Sequence, residues 1–415
     1  MNSAIAAIIG LALAIALIIR KQSPAYSLIL GALLGGILAG WGLEDTVLKM
    51  ISGVKDISPA ILRILAAGVL TGALIRTRSA ESIAGGIIRV FGEKQAYLAI
   101  ALSAMVLTGV GVFVDVSVIT VAPIILIMAK KTGLPLTKLL FAAIAGGKCG
   151  NIMSPNPNTI ISAENYGASL PDVMAAGVVP ALVGLVVSVY LIVPLVPGKK
   201  TEAEGGTLLQ TDGQPAFPAA IAGPLFAILL LALRPLFGIK IDPMVALPAG
   251  GLVCLLTTRQ WRITTDALRY GLEKMSGVAV LLVATGTIAG IIKSSSLSEW
   301  LIAVMQGWQG GQLLMAPLTG ALMSGATAST TAGATIASSS FASAVLATGV
   351  SAVWAAAMTN AGATMIDHLP HGSFFHTTGG SVEMPMGDRL RLIPFESLTG
   401  FCLTLMSVLL SLFFA

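Results

Sequence analysis

Charge is the scarcest property of this chain. Only 10% of its 415 residues are Asp, Glu, Lys or Arg, against 55% hydrophobic residues and a mean hydropathy of +0.91. Soluble domains carry roughly 25% charged residues, so too little polar surface is available to solvate a core this large. A soluble globular fold is excluded. Histidine and cysteine are equally sparse, three of each. Cys149, Cys254 and Cys402 lie in apolar surroundings without metal-ligand spacing, which points to reduced, buried thiols. His368, His371 and His376 beside Asp367 match no strong zinc spacing, so no metal is expected. The sequence has no nucleophile–base motif, phosphate loop or nucleotide signature, so neither an enzyme nor a resident cofactor is expected. The net charge of +5 resides in short loops, which removes nucleic acid as a partner.

What remains is a chain of apolar runs, read as an all-α polytopic membrane protein whose partner is the lipid bilayer. A bilayer span needs ~20 apolar residues. Candidate spans are 3–19, 25–42 and 57–76, followed by an amphipathic stretch at 79–93. The first run lacks a basic leader region and is expected to be retained as a helix. A long segment at about 95–129 is interrupted by Gly109, Gly111 and Asp115, another at about 136–166 by a polar break, and 171–197 is again plain. Residues 198–215 read as a polar, Gly-rich linker. The pattern then restarts with 216–236, 241–258 and 275–293, a polar turn and short helix at 294–310, interrupted segments at about 312–348 and 352–378, and a last span at 394–414.

That restart is an internal repeat dividing the chain into 1–197 and 216–415. Gly109-Val110-Gly111 corresponds to Gly325-Ala326-Thr327, Gly133-Leu134-Pro135 to Gly349-Val350-Ser351, and Ser154-Pro155 to Pro370-His371, all at an offset of 216. If the segments near 95–129 and 312–348 are re-entrant hairpins, each half crosses the membrane five times and the halves are inverted. Both termini are then periplasmic. The arrangement places Arg20, Arg76, Arg78, Lys130, Lys131, Arg259, Arg262, Arg389 and Arg391 in the cytoplasm and leaves Lys49, Lys55, Arg63, Arg234, Lys240 and Lys293 outside. The positive-inside bias favours it.

Paired breaks in corresponding places are the strongest sequence pointer to a transporter's binding site. The run Gly147 to Thr159 holds two prolines, three asparagines and a lysine, and is expected to unwind around a solute. Lys148, Asn151, Ser154, Asn156, Asn158 and Thr159 are its candidate substrate ligands. In the second half, Thr327, Ser329, Thr330 and Thr331 offer hydroxyls at a hairpin tip, and Asn360 and His371 flank the second break. Asp115 is a carboxylate inside a membrane segment, which costs ~2.5–3.5 kcal/mol on insertion scales unless it has a partner or water. Its readings are a coupling-ion site or a structural partner of Lys148. Lys148 either balances an anionic substrate or neutralises Asp115. Asp367 with His368 is a second place for a coupling proton.

Three stretches resemble the gluconate permease (GntP) family of the ion transporter superfamily. They are Phe113-Val114-Asp115-Val116-Ser117-Val118-Ile119 with Ala122-Pro123, the break Ser154-Pro155-Asn156-Pro157-Asn158, and the run Ser324 to Gly333. The resemblance extends over nearly the whole chain. It implies a secondary transporter of the bacterial inner membrane, carrying a sugar acid or small hydroxy acid with protons and commonly working as a homodimer. This chain departs from the family's usual break, with Asn156 and Asn158 where histidine and glycine are typical, and has Asp115 in place of glutamate. A sodium-coupled carboxylate or dicarboxylate transporter of the same architecture is the alternative, with Asn151, Asn158 and Asn360 as ion ligands. A membrane-embedded metal-dependent enzyme is a more distant one.

Overall fold

The structure, a computed structural model, describes residues 2–20, 22–199, 213–297, 311–370 and 372–414. Among them the regular structure is entirely helical. The first half comprises α1 (Ser3–Ile19), α2 (Pro24–Leu38), α3 (Leu43–Arg76), α4 (Ser79–Phe91), α5 (Ala96–Gly109), α6 (Val114–Thr132), α7 (Leu136–Asn151), α8 (Pro157–Asn165) and α9 (Leu170–Leu195). The second comprises α10 (Phe217–Phe237), α11 (Pro243–Thr257), α12 (Thr264–Ser294), α13 (Gly311–Thr327), α14 (Thr330–Ala347), α15 (Ala352–Gly362), α16 (Ser373–Gly380), α17 (Met386–Leu390) and α18 (Ile393–Phe414). Most of the linker expected at 198–215 and of the short helix expected within 294–310 lies outside the described residues.

Polarity is arranged inside out. Lys148, Asp367, Arg389 and Glu396 are buried, whereas α9 exposes Leu182, Val186, Tyr190 and Leu191, and α18 exposes Phe401, Leu405 and Phe413. Water disfavours such an apolar exterior and hydrocarbon does not. Four described stretches are long and apolar enough to cross a membrane by length and composition: Leu43–Arg76, Leu170–Leu195, Trp261–Ser294 and Met386–Phe414. The spans expected at 57–76 and 275–293 are only the inner parts of α3 and α12. Both helices continue outward through polar residues such as Glu44, Asp45 and Lys49, or Asp266 and Arg269.

Glycine sets how closely the helices approach. A Cβ on Gly53 would lie 2.1 Å from the Gly286 carbonyl oxygen, and one on Gly72 2.0 Å from that of Ala267. Helices α3 and α12 therefore run antiparallel in backbone contact, as small residues permit between membrane helices. The same device joins the broken segments. A Cβ on Gly146 would lie 1.9 Å from the Ala101 oxygen, and one on Gly362 2.2 Å from the Pro317 oxygen. These two contacts are separated by the same 216 residues. So are the left-handed positions Gly133 (φ 68°) and Gly349 (φ 89°), and Gly167 (φ 67°) and Glu383 (φ 53°).

The unwound stretch is shorter than the sequence suggests. Helix α7 continues through Gly147, Lys148 and Gly150 to Asn151, and α8 already begins at Pro157. Gly150 stays helical because its missing Cβ lets α7 lie against Met105 and Thr108 of α5. Every residue kept helical also satisfies a backbone donor that membrane interiors leave without water. The break itself is residues 152–156.

Candidate functional site

Four helices begin at one place. Helix α6 starts beyond the tip 110–113, where Gly111 adopts φ 99° and its carbonyl accepts from the Thr71 hydroxyl at 3.2 Å. Helix α8 starts at Pro157, whose lost N–H is no penalty at a first turn, and Asn156 Oδ1 caps it by accepting from the Thr159 amide at 3.0 Å. Helix α14 is capped by Ser329, which accepts from the Ala332 amide at 3.3 Å. The preceding Ala328 holds φ 46°, a strained conformation for alanine, with Gly372 packed against its carbonyl. Helix α16 starts at Ser373.

Between these N-termini lies a cavity of about 240 Å³. It brings together eight of the residues singled out in the sequence: Asp115, Asn151, Asn156, Asn158, Ser329, Thr330, Thr331 and Asp367. Both tips and both breaks thus meet in one place. No lysine or arginine is among the described residues that line it. Asp115 is half-buried and, among the described residues, has neither a hydrogen bond nor an ion pair. The remaining candidates are behind the wall or outside the description. Thr327 turns its hydroxyl back to the Met323 carbonyl at 2.8 Å, Ser154 to that of Asn151 at 3.2 Å, and Asn360 donates to Thr159 Oγ1 at 3.0 Å. His371 lies outside the described residues.

Lys148 corrects one expectation. Its ammonium does not reach Asp115. It donates to the Thr364 carbonyl at 2.6 Å, to Asp367 Oδ1 at 2.5 Å and to His368 Nδ1 at 2.9 Å. The other oxygen of Asp367 accepts from the Thr330 hydroxyl. His368 Nε2 faces the Ile393 carbonyl at 3.0 Å, and since a carbonyl only accepts, that nitrogen carries the proton. Lys148 is 1% exposed and His368 0%, and the lysine is engaged at the second break rather than among the residues that line the cavity.

Sequence reasoning missed the next layer. Arg389, grouped with the cytoplasmic loop charges, is 1% exposed and forms a two-pronged pair with Glu396 in the first turn of α18. Glu396 Oε2 lies 4.0 Å from His368 Nδ1. A glutamate opening an apolar helix was the available signal. The apolar wall of the cavity, Gly277, Val278 and Leu281 of α12, carried no polar signal at all.

Two further cavities lie on another side. One of about 370 Å³ surrounds Arg63, Glu164 and Asp242, and one of about 420 Å³ is lined by Asp56, Glu164, Asn165, Lys293 and Ser338. Helices α8 and α14 separate the latter from the central cavity, joined by Thr331 to Asn158 at 2.6 Å and Asn165 to Ser338 at 2.9 Å. Arg63 bridges Glu164 of α8 to Asp242, the cap of α11. The three side chains are a quarter or more exposed, so Arg63→Met is expected to lower stability by only about 1 kcal/mol. Thermal unfolding in detergent, compared with the unaltered protein, measures it.

An apolar exterior, broken helices and a polar cavity at their meeting point define a membrane transporter rather than an enzyme. The comparisons narrow the class. The family model for the GntP family permease matches residues 2–247, more than half of the chain, and the protein belongs to that family. A model of a Na+-H+ antiporter family matches residues 218–309. A transporter of uncharacterised function from Haemophilus influenzae is 49% identical over 98% of both chains. A gluconate permease from Pseudomonas aeruginosa is 27% identical over 56% of this chain and 53% of its own. Among solved structures, the YdaH transporter of Alcanivorax borkumensis matches with a TM-score of 0.63 at 16% identity, covering 90% of this chain and 89% of that one. That likeness concerns the fold.

Proposed function

We propose that this protein is a proton-coupled symporter of a small hydroxylated carboxylate, of the gluconate-like or hydroxy-acid class, in a bacterial inner membrane. The observation that carries the reading is the central cavity: four helix N-termini converge there, and among the described residues Asp115 has no partner and no lining residue supplies a fixed cation. Helix N-termini present unpaired N–H groups and positive dipole ends that suit a carboxylate. The charge of Asp115 opposes that anion, and two carboxylates at close range cannot both stay ionised without cost. A proton on Asp115 removes the conflict, so anion and proton enter together. The gluconate permease relative supports the acid class.

The oxygens of the sodium alternative are unequally engaged. The Asn151 carbonyl and side-chain oxygens both lie 2.6 Å from Asn156 Nδ2, and Asn158 Oδ1 accepts from Thr331. The Lys148 ammonium fills the space between the Thr364 carbonyl and Asp367. Asn360 Oδ1, the third oxygen of the sodium alternative, is by contrast buried without a hydrogen-bond partner among the described residues. Two inverted halves with periplasmic termini complete the reading. Helices α3 and α12 are equivalent in the repeat and pack antiparallel, which is the relation an axis in the membrane plane produces.

Uptake of labelled sugar acids and hydroxy acids into proteoliposomes tests the proposal, with an imposed pH gradient, a sodium gradient or neither. Accumulation driven by the pH gradient is expected. Accumulation that requires sodium would replace the coupling ion, and none with any acid would overturn the substrate class.

A further inference from the structure

We propose that Gly277 sets the chain length of the transported acid. The inference rests on the carboxylate reading above. The lining of the central cavity is of two kinds. Asp115, Asn158 and Thr331 belong to the helix N-termini, which suit a carboxylate, and Gly277, Val278 and Leu281 of α12 are apolar. With its carboxylate at the N-termini, an acid has the α12 residues as the apolar part of the lining for its remaining carbons.

Glycine within a helix is destabilising relative to alanine, so each such position calls for a reason. On α12 the other glycines have one. A Cβ on Gly271 would lie 2.0 Å from the Gly68 oxygen, on Gly286 2.8 Å from Val54 Cα, and on Gly290 2.1 Å from the Lys49 oxygen. These positions are glycine because α3 touches the backbone. At Gly277 a Cβ would meet no atom within 4 Å. Packing places no demand there, and this exposed position is part of the cavity lining. A side chain here helps the helix, meets no protein atom and reduces the room at that lining for a bound solute. Gly277 is thus a specificity-determining position, one that admits the far carbons of a longer acid.

The test compares unaltered protein, Gly277→Ala and Gly277→Val in proteoliposomes under one imposed pH gradient. The probes are labelled three-, four- and six-carbon acids: glycerate, a trihydroxybutyrate and gluconate. Unaltered protein is expected to accumulate the longer acids, and Gly277→Val to lose at least tenfold on gluconate relative to glycerate, with Gly277→Ala between them. Thermal unfolding in detergent at the midpoint of the unaltered protein reports that the variants are folded. Parallel loss on all acids, or no change on any, overturns the assignment. So does an unaltered protein that carries glycerate and neither longer acid. Unaltered protein that accumulates none of the three would instead sink the carboxylate reading beneath it.

Discussion

Asp115→Asn is expected to abolish uphill accumulation in proteoliposomes while leaving exchange of labelled for unlabelled substrate in place. Asp115 is the carboxylate in the cavity without a partner among the described residues, and the amide keeps its size while removing both its charge and its proton. A gradient of one pH unit is worth about 1.4 kcal/mol per proton, a tenfold accumulation ratio. Under a gradient of about two units the variant should fall from ~100-fold accumulation for a single coupled proton to unity. Asp115→Glu should restore coupling at a reduced rate, because it retains a titratable oxygen in the same turn. An asparagine variant that still concentrates substrate would show that the proton travels elsewhere, with Asp367 and His368 next in line.

Lys148→Met should be the most damaging single substitution for stability. It leaves Asp367 buried at 4% exposure, with Thr330 and His368 as its remaining neighbours. Removing one partner of a buried ion pair costs about 3–5 kcal/mol, enough to lower both the melting temperature and the yield of folded protein. Asp367→Asn in the same chain removes the stranded charge, so the double variant should recover much of that loss. The two single variants and the double form a cycle read by thermal unfolding in detergent. Additive losses would mean that the contact is energetically idle. If the double variant regains stability but also regains full transport, Lys148 has no part in handling the anion.

The polar breaks were the most legible part of this protein. Pro155, Pro157 and their asparagines announced the first break because proline removes a donor that a membrane helix cannot easily spare. The limits of the break were not legible. Glycines at 147 and 150 read as unwinding residues, yet they are helical: Gly147 makes room for Val114 of α6, and Gly150 lets α7 lie on α5. Lys148 was legible as a buried cation, but its partner was not. Asp115, 33 positions away, was the side-chain partner it suggested, and Asp367, 219 away, came into view only when the fold brought the second break against α7. The burial of Arg389 was not legible for a related reason, because basic residues after a break look like loop charges unless the glutamate facing them is known.

By itself, then, the sequence determined the solvent, the helical class and the places where helices break. Each follows from local composition: too few charges for water, long apolar runs, and proline, glycine and asparagine at matched positions. The tertiary structure decided which breaks meet, which cavity carboxylate has no partner among the described residues and which helix supplies the apolar lining. Those depend on contacts between residues hundreds of positions apart, such as Lys148 with Asp367 or Asn158 with Thr331. Gly277 marks the boundary most clearly. A glycine that opens space for a solute and one that admits a neighbouring backbone are the same letter, and only the packing around each tells them apart.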